Sequence, residues 1–264
     1  MMADNTIIKD ELARQAETQT PTLKKSMSLV ELIKAMEPEI KRALPKVITP
    51  ERFMRMALSA LNTTPKLREC TPISVLAALM NAAQLGLEPN TPLGQAYLIP
   101  FKNKGVMECQ FQVGYKGLLE LVYRCPQIQT VQCHCVYEND TFSYEFGLNP
   151  QLLHKPTMEE RGDLRCVYAV FRTTNGGYGF EVMSRTAIEN HGKQYSKSYD
   201  SSFSPWKTDF ESMAKKTVIK QALKYAPVKT DYIHAVSVDN STGTELAEFD
   251  FMDNIIESEY KEVS

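Results

Sequence analysis

One segment in the first half of the chain constrains the fold more than any other. Residues 106–113 alternate between apolar and polar side chains, which is the period of a half-buried β-strand. The preceding run, 95–101, is rich in apolar and aromatic residues, and Asn103, Lys104 and Gly105 lie between the two runs. Such a turn segment between two strand-like runs is typical of a β-hairpin. The sequence therefore predicts a hairpin here.

The alternation also assigns side chains to the two faces of the second strand. Phe111 lies on the apolar face and is expected in the core, whereas Gln110 and Gln112 lie on the opposite face. Amide groups on an open face both donate and accept hydrogen bonds, so this face is a candidate ligand surface.

Three helices are predicted before the hairpin, over residues 28–37, 50–61 and 72–85. The second and third each begin with threonine followed by proline, which suits the N-cap and the first helical position. The third is followed by Gly86, a residue typical of a left-handed helix end.

After the hairpin, the sequence predicts a short helix, four further strands and a final long helix. The short helix covers 115–125, and the strands cover 128–138, 141–146, 164–173 and 178–183. The final helix begins at Ser204-Pro205 and runs to Tyr225. The predicted fold class is α+β: N-terminal helices, then a small antiparallel β-sheet with an inserted helix, packed on a long C-terminal helix.

Charge and composition divide the chain into three parts. Residues 1–27 are polar and are predicted to form a flexible arm, and residues 28–238 the folded domain. Residues 239–264 hold eight acidic residues and one lysine and are predicted to form an acidic flexible tail. The net charge is only −2, but the window 193–229 holds eight lysines and three acidic residues. A basic block followed by an acidic tail indicates contact with nucleic acid.

The sequence lacks the features of a secreted or membrane protein, and this predicts the compartment of the protein and the redox state of its cysteines. The first residues contain no apolar run like that of a signal peptide, and no stretch approaches the roughly 18 apolar residues of a membrane span. The six cysteines do not form the framework of a small secreted domain. We therefore expect a cytoplasmic protein with reduced thiols.

No motif in the sequence predicts catalysis, a metal or a cofactor. The Gly-Tyr-Lys-Gly segment at 114–117 is too short for a phosphate-binding loop of nucleotide hydrolases. Cys133 and Cys135 share one face of a strand, but a structural zinc needs about four ligands. The Ser-x-x-Lys pattern at 212–215 has no companion motif. A nuclease built from scattered carboxylates and a divalent metal stays open as an alternative.

Three parts of the chain combine lysine with amide or aromatic residues. They are residues 101–116, residues 191–199, and the stripe of Lys216, Lys220 and Lys224 on the final helix. Lysines neutralise phosphates, and aromatic rings stack on bases without regard to sequence. Although a single lysine stripe is usually just a solvated helix face, three such parts favour nucleic-acid binding.

Four segments in fixed order carry a more specific signal. They are residues 82–89, residues 95–102, residues 110–118, and residues 204–206 together with 213–220. These segments strongly resemble the RecT family of phage and prophage recombinases, and the resemblance covers about residues 30–230.

The resemblance implies an ATP-independent single-strand annealing protein that needs no cofactor. Proteins of this family bind single-stranded DNA, pair it with a complementary strand and hold the product in a homo-oligomeric ring or filament. The implied fold is similar to that of other single-strand annealing proteins. The implied partner is a phage exonuclease, in the cytoplasm of a bacterial host. The resemblance does not cover the acidic tail, but the hydrophobic residues among its acids are typical of a docking peptide, which would bind the exonuclease or a host single-strand binding protein.

Carried over to the matching positions, the resemblance implies eleven DNA-contacting residues: Lys102, Lys104, Gln110, Gln112, Tyr115, Lys116, Arg124, Lys193, Lys215, Lys216 and Lys220. A protein that only protects single-stranded DNA or RNA has the same requirements, and it remains the second alternative to an annealing protein.

Overall fold

The computed structural model describes residues 27–196, 199–202 and 204–239. The predicted arm and tail therefore lie outside the described residues, apart from Met27 and Asp239. The helices are α1 (Leu29–Ala35), α2 (Glu37–Ala43), α3 (Pro50–Thr63), α4 (Pro72–Leu85), α5 (Tyr115–Tyr123), α6 (Arg185–Tyr195), α7 (Pro205–Thr208), α8 (Phe210–Ala222) and α9 (Thr230–Val238), with 3-10 turns at Pro65–Glu69 and Leu223–Tyr225. None of the helices within these ranges is long and apolar enough to cross a bilayer.

The strands form three small antiparallel sheets. Their bounds are β1 (Ala96–Asn103), β2 (Val106–Val113), β3 (Ile128–Tyr137), β4 (Thr141–Glu145), β5 (Gln151–Lys155), β6 (Leu164–Thr173) and β7 (Tyr178–Ser184). β1 pairs with β2, β4 pairs with β5, and the third sheet has the order β3-β6-β7. Helices and antiparallel sheets in separate parts of the chain confirm the predicted α+β class.

The predicted hairpin is confirmed as β1 and β2. Asn103 pairs with Val106, which leaves Lys104 and Gly105 as a two-residue turn. Both turn residues have positive φ angles, 46° and 93°. This is the type I′ geometry that matches the twist of the two strands.

The three-stranded sheet packs one face on α8 and covers part of the other with the β4–β5 hairpin. Val167 and Ala169 of β6 belong to the main core, which includes Val218 of α8. Tyr168 points to the opposite face, where Phe142 of β4 stacks on it at 5.5 Å between ring centroids. The alternation of β6 thus separates a large core from a small one.

A buried carboxylate fastens the β4–β5 hairpin to the sheet. Asp140 accepts hydrogen bonds from the backbone N–H groups of Tyr137 and Thr157, at 2.9 and 3.0 Å, and from the Arg161 guanidinium. His154 of β5 lies between Asp140 and the hydroxyl of Tyr168, 3.2 Å from each. The Asp140 side chain is fully buried, so every one of these contacts replaces water.

One predicted helix is shorter in the structure, and another is interrupted. The helix expected over 28–37 ends at Ala35, and α2 then begins at Glu37, with Pro38 in its first turn. The expected long final helix is broken at Asp209, whose φ and ψ of −149° and 65° are not helical. The Asp209 side chain accepts a hydrogen bond from the Ser212 N–H, so it caps the start of α8.

Four elements were not predicted from the sequence: α2, β5, α6 and α9. β5 contains two adjacent leucines, which breaks the alternation of a strand. α6 contains Gly192, and glycine disfavours helix interiors. The position needs glycine because a Cβ there would lie 2.7 Å from the ring of Tyr199. α9 is rich in β-branched and aromatic residues, which favour strands when judged locally.

Candidate nucleic-acid interface

The register of the β1–β2 hairpin brings an unexpected tyrosine beside the predicted glutamines. Tyr97 pairs with Gln112 and Ile99 pairs with Gln110, so these side chains share one face. Phe111 is fully buried on the other face, as expected. Gln112 is itself buried, with its Nε2 3.9 Å from Met213 Sδ of α8. The glutamine face is therefore partly closed by α8, and the expectation that Gln112 lies open is wrong.

Three predicted lysines lie exposed around this hairpin. Lys102 is near the end of β1, Lys104 is in the turn, and Lys116 is in the first turn of α5. With the described residues, these three ammonium groups form no ion pair, unlike the predicted lysines of α8. Their positive charge is therefore available to a ligand.

Close backbone packing holds the start of α5 against β1. The Gly114 N–H donates to the Gln95 carbonyl oxygen at 2.9 Å. A Cβ on Gly114 would lie 2.1 Å from the Gly94 oxygen, and one on Gly117 would lie 2.1 Å from the Gln95 oxygen. Both positions therefore need glycine, which explains the Gly-x-x-Gly spacing without a phosphate loop.

This packing brings Tyr97 and Lys116 together. A Cβ on Gly94 would meet Tyr97 Oη at 3.0 Å and Lys116 Cδ at 3.6 Å. Tyr97 is 41% exposed, while Tyr115 is half-buried against the core. Partial burial raises the pKa of Tyr97, and Asp209 and Tyr115 raise it further, so Tyr97 is a neutral hydroxyl at physiological pH. Sequence reasoning missed Tyr97, although its register with Gln112 was the signal that could have found it.

Lys216 is buried and paired, so the expectation of a surface lysine at this position is wrong. Its Nζ lies 2.8 Å from Asp239 Oδ1, and its side chain is only 6% exposed. Asp239 also accepts from Lys220 Nζ at 3.2 Å and from the Val113 N–H at 3.0 Å. Burial lowers the pKa of Lys216, and the carboxylate of Asp239 opposes that shift. Lys216 fastens α8 to the end of α9.

The same contacts place Asp239 with the folded domain and not with the predicted tail, which was expected to begin at residue 239. Asp239 was assigned to the flexible tail, but its side chain is fully buried and bonded to α8 and β2. Asp239 belongs to the folded domain because a buried carboxylate needs these partners.

Lys215 points away from Lys216. Its Nζ lies 4.0 Å from Glu211 Oε2, and its carbonyl oxygen accepts from the Cys133 thiol of β3. Glu211 also accepts a hydrogen bond from the Tyr137 hydroxyl at 2.6 Å, which raises the pKa of Tyr137 to about 12. Neighbours in sequence thus lie on two different sides of α8.

Arg124 is bonded to the end of a helix and does not face an open surface. Its Nη1 and Nη2 donate to the carbonyl oxygens of Leu85 and Gly86 at 2.6 and 3.0 Å. These are C-terminal carbonyls of α4 that lack helical partners, so Arg124 caps that helix. The guanidinium is thus already bonded within the fold, and the DNA contact implied for Arg124 stays a prediction.

Lys193 lies exposed on α6, apart from the hairpin lysines. Its Nζ is 5.9 Å from the centroid of the Tyr199 ring. Tyr199 is buried and packs on Trp206 at 5.5 Å between centroids. The aromatic ring beside Lys193 is therefore part of the core.

Comparisons with known proteins place the chain in a family. A model of the RecT family matches residues 51–251. The chain is 38% identical over 239 residues to Protein RecT of Escherichia coli, which covers 88% of each chain. It is 29% identical over 247 residues to the uncharacterised protein YqaK of Bacillus subtilis, covering 91% of this chain and 82% of that protein.

This chain belongs to the RecT family. It is accordingly a single-strand annealing protein of DNA recombination, as the resemblance of its segments implied. The RecT-family match extends over the hairpin, α5 and α8, so all eleven predicted contact residues lie within it.

The described part of this RecT-family chain holds no cluster of three or more histidine, cysteine or acidic residues placed to bind a metal ion. Cys133 and Cys135 face α8, and burial raises their pKa values to about 12 and about 11. Both thiols are therefore neutral at physiological pH, whereas metal ligation and nucleophilic attack require a thiolate.

Proposed function

We propose that this protein anneals complementary strands by holding single-stranded DNA along a hairpin surface. This surface runs from Lys102 and Lys104 at the turn, past Tyr97 and Gln110 on one strand face, to Lys116 at the start of α5; Lys102 lies beside the turn on the opposite strand face. The observation that carries the proposal is the contrast between the lysines. Lys102, Lys104 and Lys116 are exposed and form no ion pair with described residues, whereas the α8 lysines of the predicted set are paired with carboxylates.

The chemistry of this surface suits annealing. Ammonium groups bind phosphates whatever the sequence, and an exposed tyrosine ring stacks on any base. Base pairing supplies the free energy of the reaction, so the protein must hold the backbone without reading base edges. Flexible lysine side chains at the turn and on α5 meet this need, since they bind phosphates as point charges.

The test is the triple variant K102A/K104A/K116A, compared with the control triple K34A/K41A/K155A. The control lysines are also exposed, so both variants lose the same charge. The hairpin variant should anneal slowly, and its salt dependence on single strands should fall by about 2, at about 0.7 per phosphate contact. Equal affinity and equal salt dependence in the two triples would rule out the hairpin surface.

Annealing and protection of single strands predict opposite results with complementary labelled oligonucleotides. An annealing protein accelerates their pairing, and a protecting protein slows it.

We further propose that the protein acts without a catalytic step. Incubation of labelled DNA with and without magnesium should then leave its length unchanged, and shortening in magnesium would support the nuclease alternative.

Partners beyond DNA form a separate proposal. We propose that the protein works as a homo-oligomer, ring or filament, in the cytoplasm of a bacterial host, encoded by a phage or prophage. Its acidic tail carries Phe249, Phe251, Met252, Ile255 and Ile256, and these residues lie outside the described ranges. We propose that this cluster binds the phage exonuclease or a host single-strand binding protein. Removal of the tail after Asn240 should abolish recombination in cells and spare annealing by the purified protein.

A further inference from the structure

The carboxylate of Asp239 pairs with two ammonium groups, those of Lys216 and Lys220, so the three side chains together carry a net positive charge. Lys216 makes the shorter contact, 2.8 Å, and is buried; Lys220 makes the longer contact, 3.2 Å, and its side chain is 28% exposed. Asp239 can neutralise one of these charges, so Lys220 is held in a fixed position with its charge incompletely compensated.

α6 places a histidine and an exposed tyrosine beside this charge. α6 packs against α8, and the pKa of His191 is lowered by burial and then by Lys220 and Lys224. His191 also contacts Tyr195, one turn later, with 4.6 Å between ring centroids. Tyr195 is 67% exposed, Lys224 is exposed, and Lys224 and His191 form no ion pair with described residues. α6, α8 and the 3-10 turn that follows α8 thus supply three basic groups and an exposed aromatic ring.

We propose that His191, Lys220 and Lys224 form a phosphate subsite for single-stranded DNA, that Tyr195 stacks on the adjoining base, and that His191 takes up a proton when the phosphate enters. The inference extends the proposed function, because it adds a second set of contacts for the same ligand. Asp239 acts as a positioning residue that orients Lys220.

The carboxylate that orients Lys220 also contacts the end of the hairpin. Asp239 bonds both to Lys220 and to the Val113 N–H, at the end of β2 and three residues before Lys116. Asp239 therefore positions Lys220 relative to the end of β2.

Proton uptake follows from the groups that face His191. Lys220 of α8 and Lys224 of the following turn disfavour its charged form, and Tyr195 contributes a neutral ring. The free protein therefore holds His191 neutral at pH 7, since its pKa lies below the ordinary 6.5. A phosphate beside the ring favours imidazolium and raises that pKa. DNA affinity then rises as the pH falls through the pKa of the bound state, and it levels off below the pKa of the free state.

The first test measures the affinity of the full chain for fluorescent oligo-dT with Y195A, K224A and the control Y144A. Tyr144 lies on β4 and is 48% exposed. Y195A and K224A should each weaken binding about five-fold or more, and Y144A should have no effect. Because Tyr195 and Lys224 are exposed, both variants should keep the melting temperature of the parent. Unchanged affinity in Y195A and K224A would overturn the subsite.

The second test measures the pH dependence between pH 8 and pH 6 at constant ionic strength. The parent and the control H134Q should bind more tightly at pH 6, by up to about ten-fold for a one-unit rise in the pKa of His191. H191Q should show a flat profile, and a parental profile in H191Q would overturn proton uptake.

Failure of this inference is distinguishable from failure of the proposed function. If K102A/K104A/K116A binds DNA weakly and Y195A binds it normally, only the subsite is ruled out. If K102A/K104A/K116A binds DNA normally and Y195A binds it weakly, only the hairpin surface is ruled out.

Discussion

Asp239 and Lys216 form an ion pair inside the fold, with 2.8 Å between Oδ1 and Nζ and almost no exposed side-chain surface on either residue. The same carboxylate accepts from the Val113 N–H and from Lys220. Three elements, α9, α8 and β2, are therefore fastened at a single charged point. Several consequences for stability follow from this relationship.

Removal of Asp239 should destabilise the domain. A chain truncated after Val238 loses the buried carboxylate and leaves the Lys216 charge unpaired, which costs about 3–5 kcal/mol. A chain truncated after Asn240 retains the carboxylate and should unfold at the same urea concentration as the full chain. The variant Asp239→Asn in the full chain should resemble the shorter truncation. Identical midpoints for the two truncations would show that the pair contributes nothing to stability.

The neighbouring lysines of α8 should respond differently to the same substitution. Lys216→Ala removes the closer partner of Asp239 and should lower the free energy of unfolding by about 3 kcal/mol. Lys215→Ala removes a pair of 4.0 Å whose lysine is 27% exposed, and it should change stability by about 0.5 kcal/mol or less. Urea denaturation of the two variants makes the comparison. Equal losses would contradict the burial of Lys216.

Gly117→Ala should be destabilising although alanine favours helices. The added Cβ would lie 2.1 Å from the Gln95 carbonyl oxygen, so the 94–95 turn must move away from α5. Overpacking of this kind costs about 1–3 kcal/mol. Gly105→Asn serves as the control, since the Gly105 site is open and asparagine tolerates positive φ. Thermal melts should show a clear loss for Gly117→Ala and a small one for Gly105→Asn.

The Asp140 cluster should make stability depend on pH in the acid range. The Arg161 guanidinium, with the Tyr137 and Thr157 N–H groups and His154, holds the pKa of Asp140 well below its ordinary 3.8. A depressed carboxyl pKa stabilises the fold above the unfolded value, and this stabilisation is lost as the pH falls through the folded value. The parent should therefore exceed Asp140→Asn in stability at pH 7, and the difference should shrink below about pH 4. The exposed Asp163→Asn control should show no such convergence.

Local sequence patterns were sufficient for most elements of the fold. The alternation of residues 106–113 and the Asn-Lys-Gly turn predicted the hairpin with its core face. Threonine-proline starts and Gly86 predicted α3 and α4 to within two residues. These features depend on periodicity, capping and backbone freedom, which neighbouring residues set among themselves. α2, β5, α6 and α9 escaped prediction because tertiary packing overrides their weak local preferences.

Sequence alone also established the family and the annealing activity, because four segments in fixed order carry a specific resemblance. It could not separate the lysines by their environment. Lys102, Lys215 and Lys216 are the same residue type in matching segments, yet the first is exposed, the second is weakly paired and the third is buried. The partner of Lys216 lies 23 residues away on another helix. Only the tertiary structure decides which charges remain available to DNA, because burial and ion pairing depend on elements that meet in space and are distant in sequence.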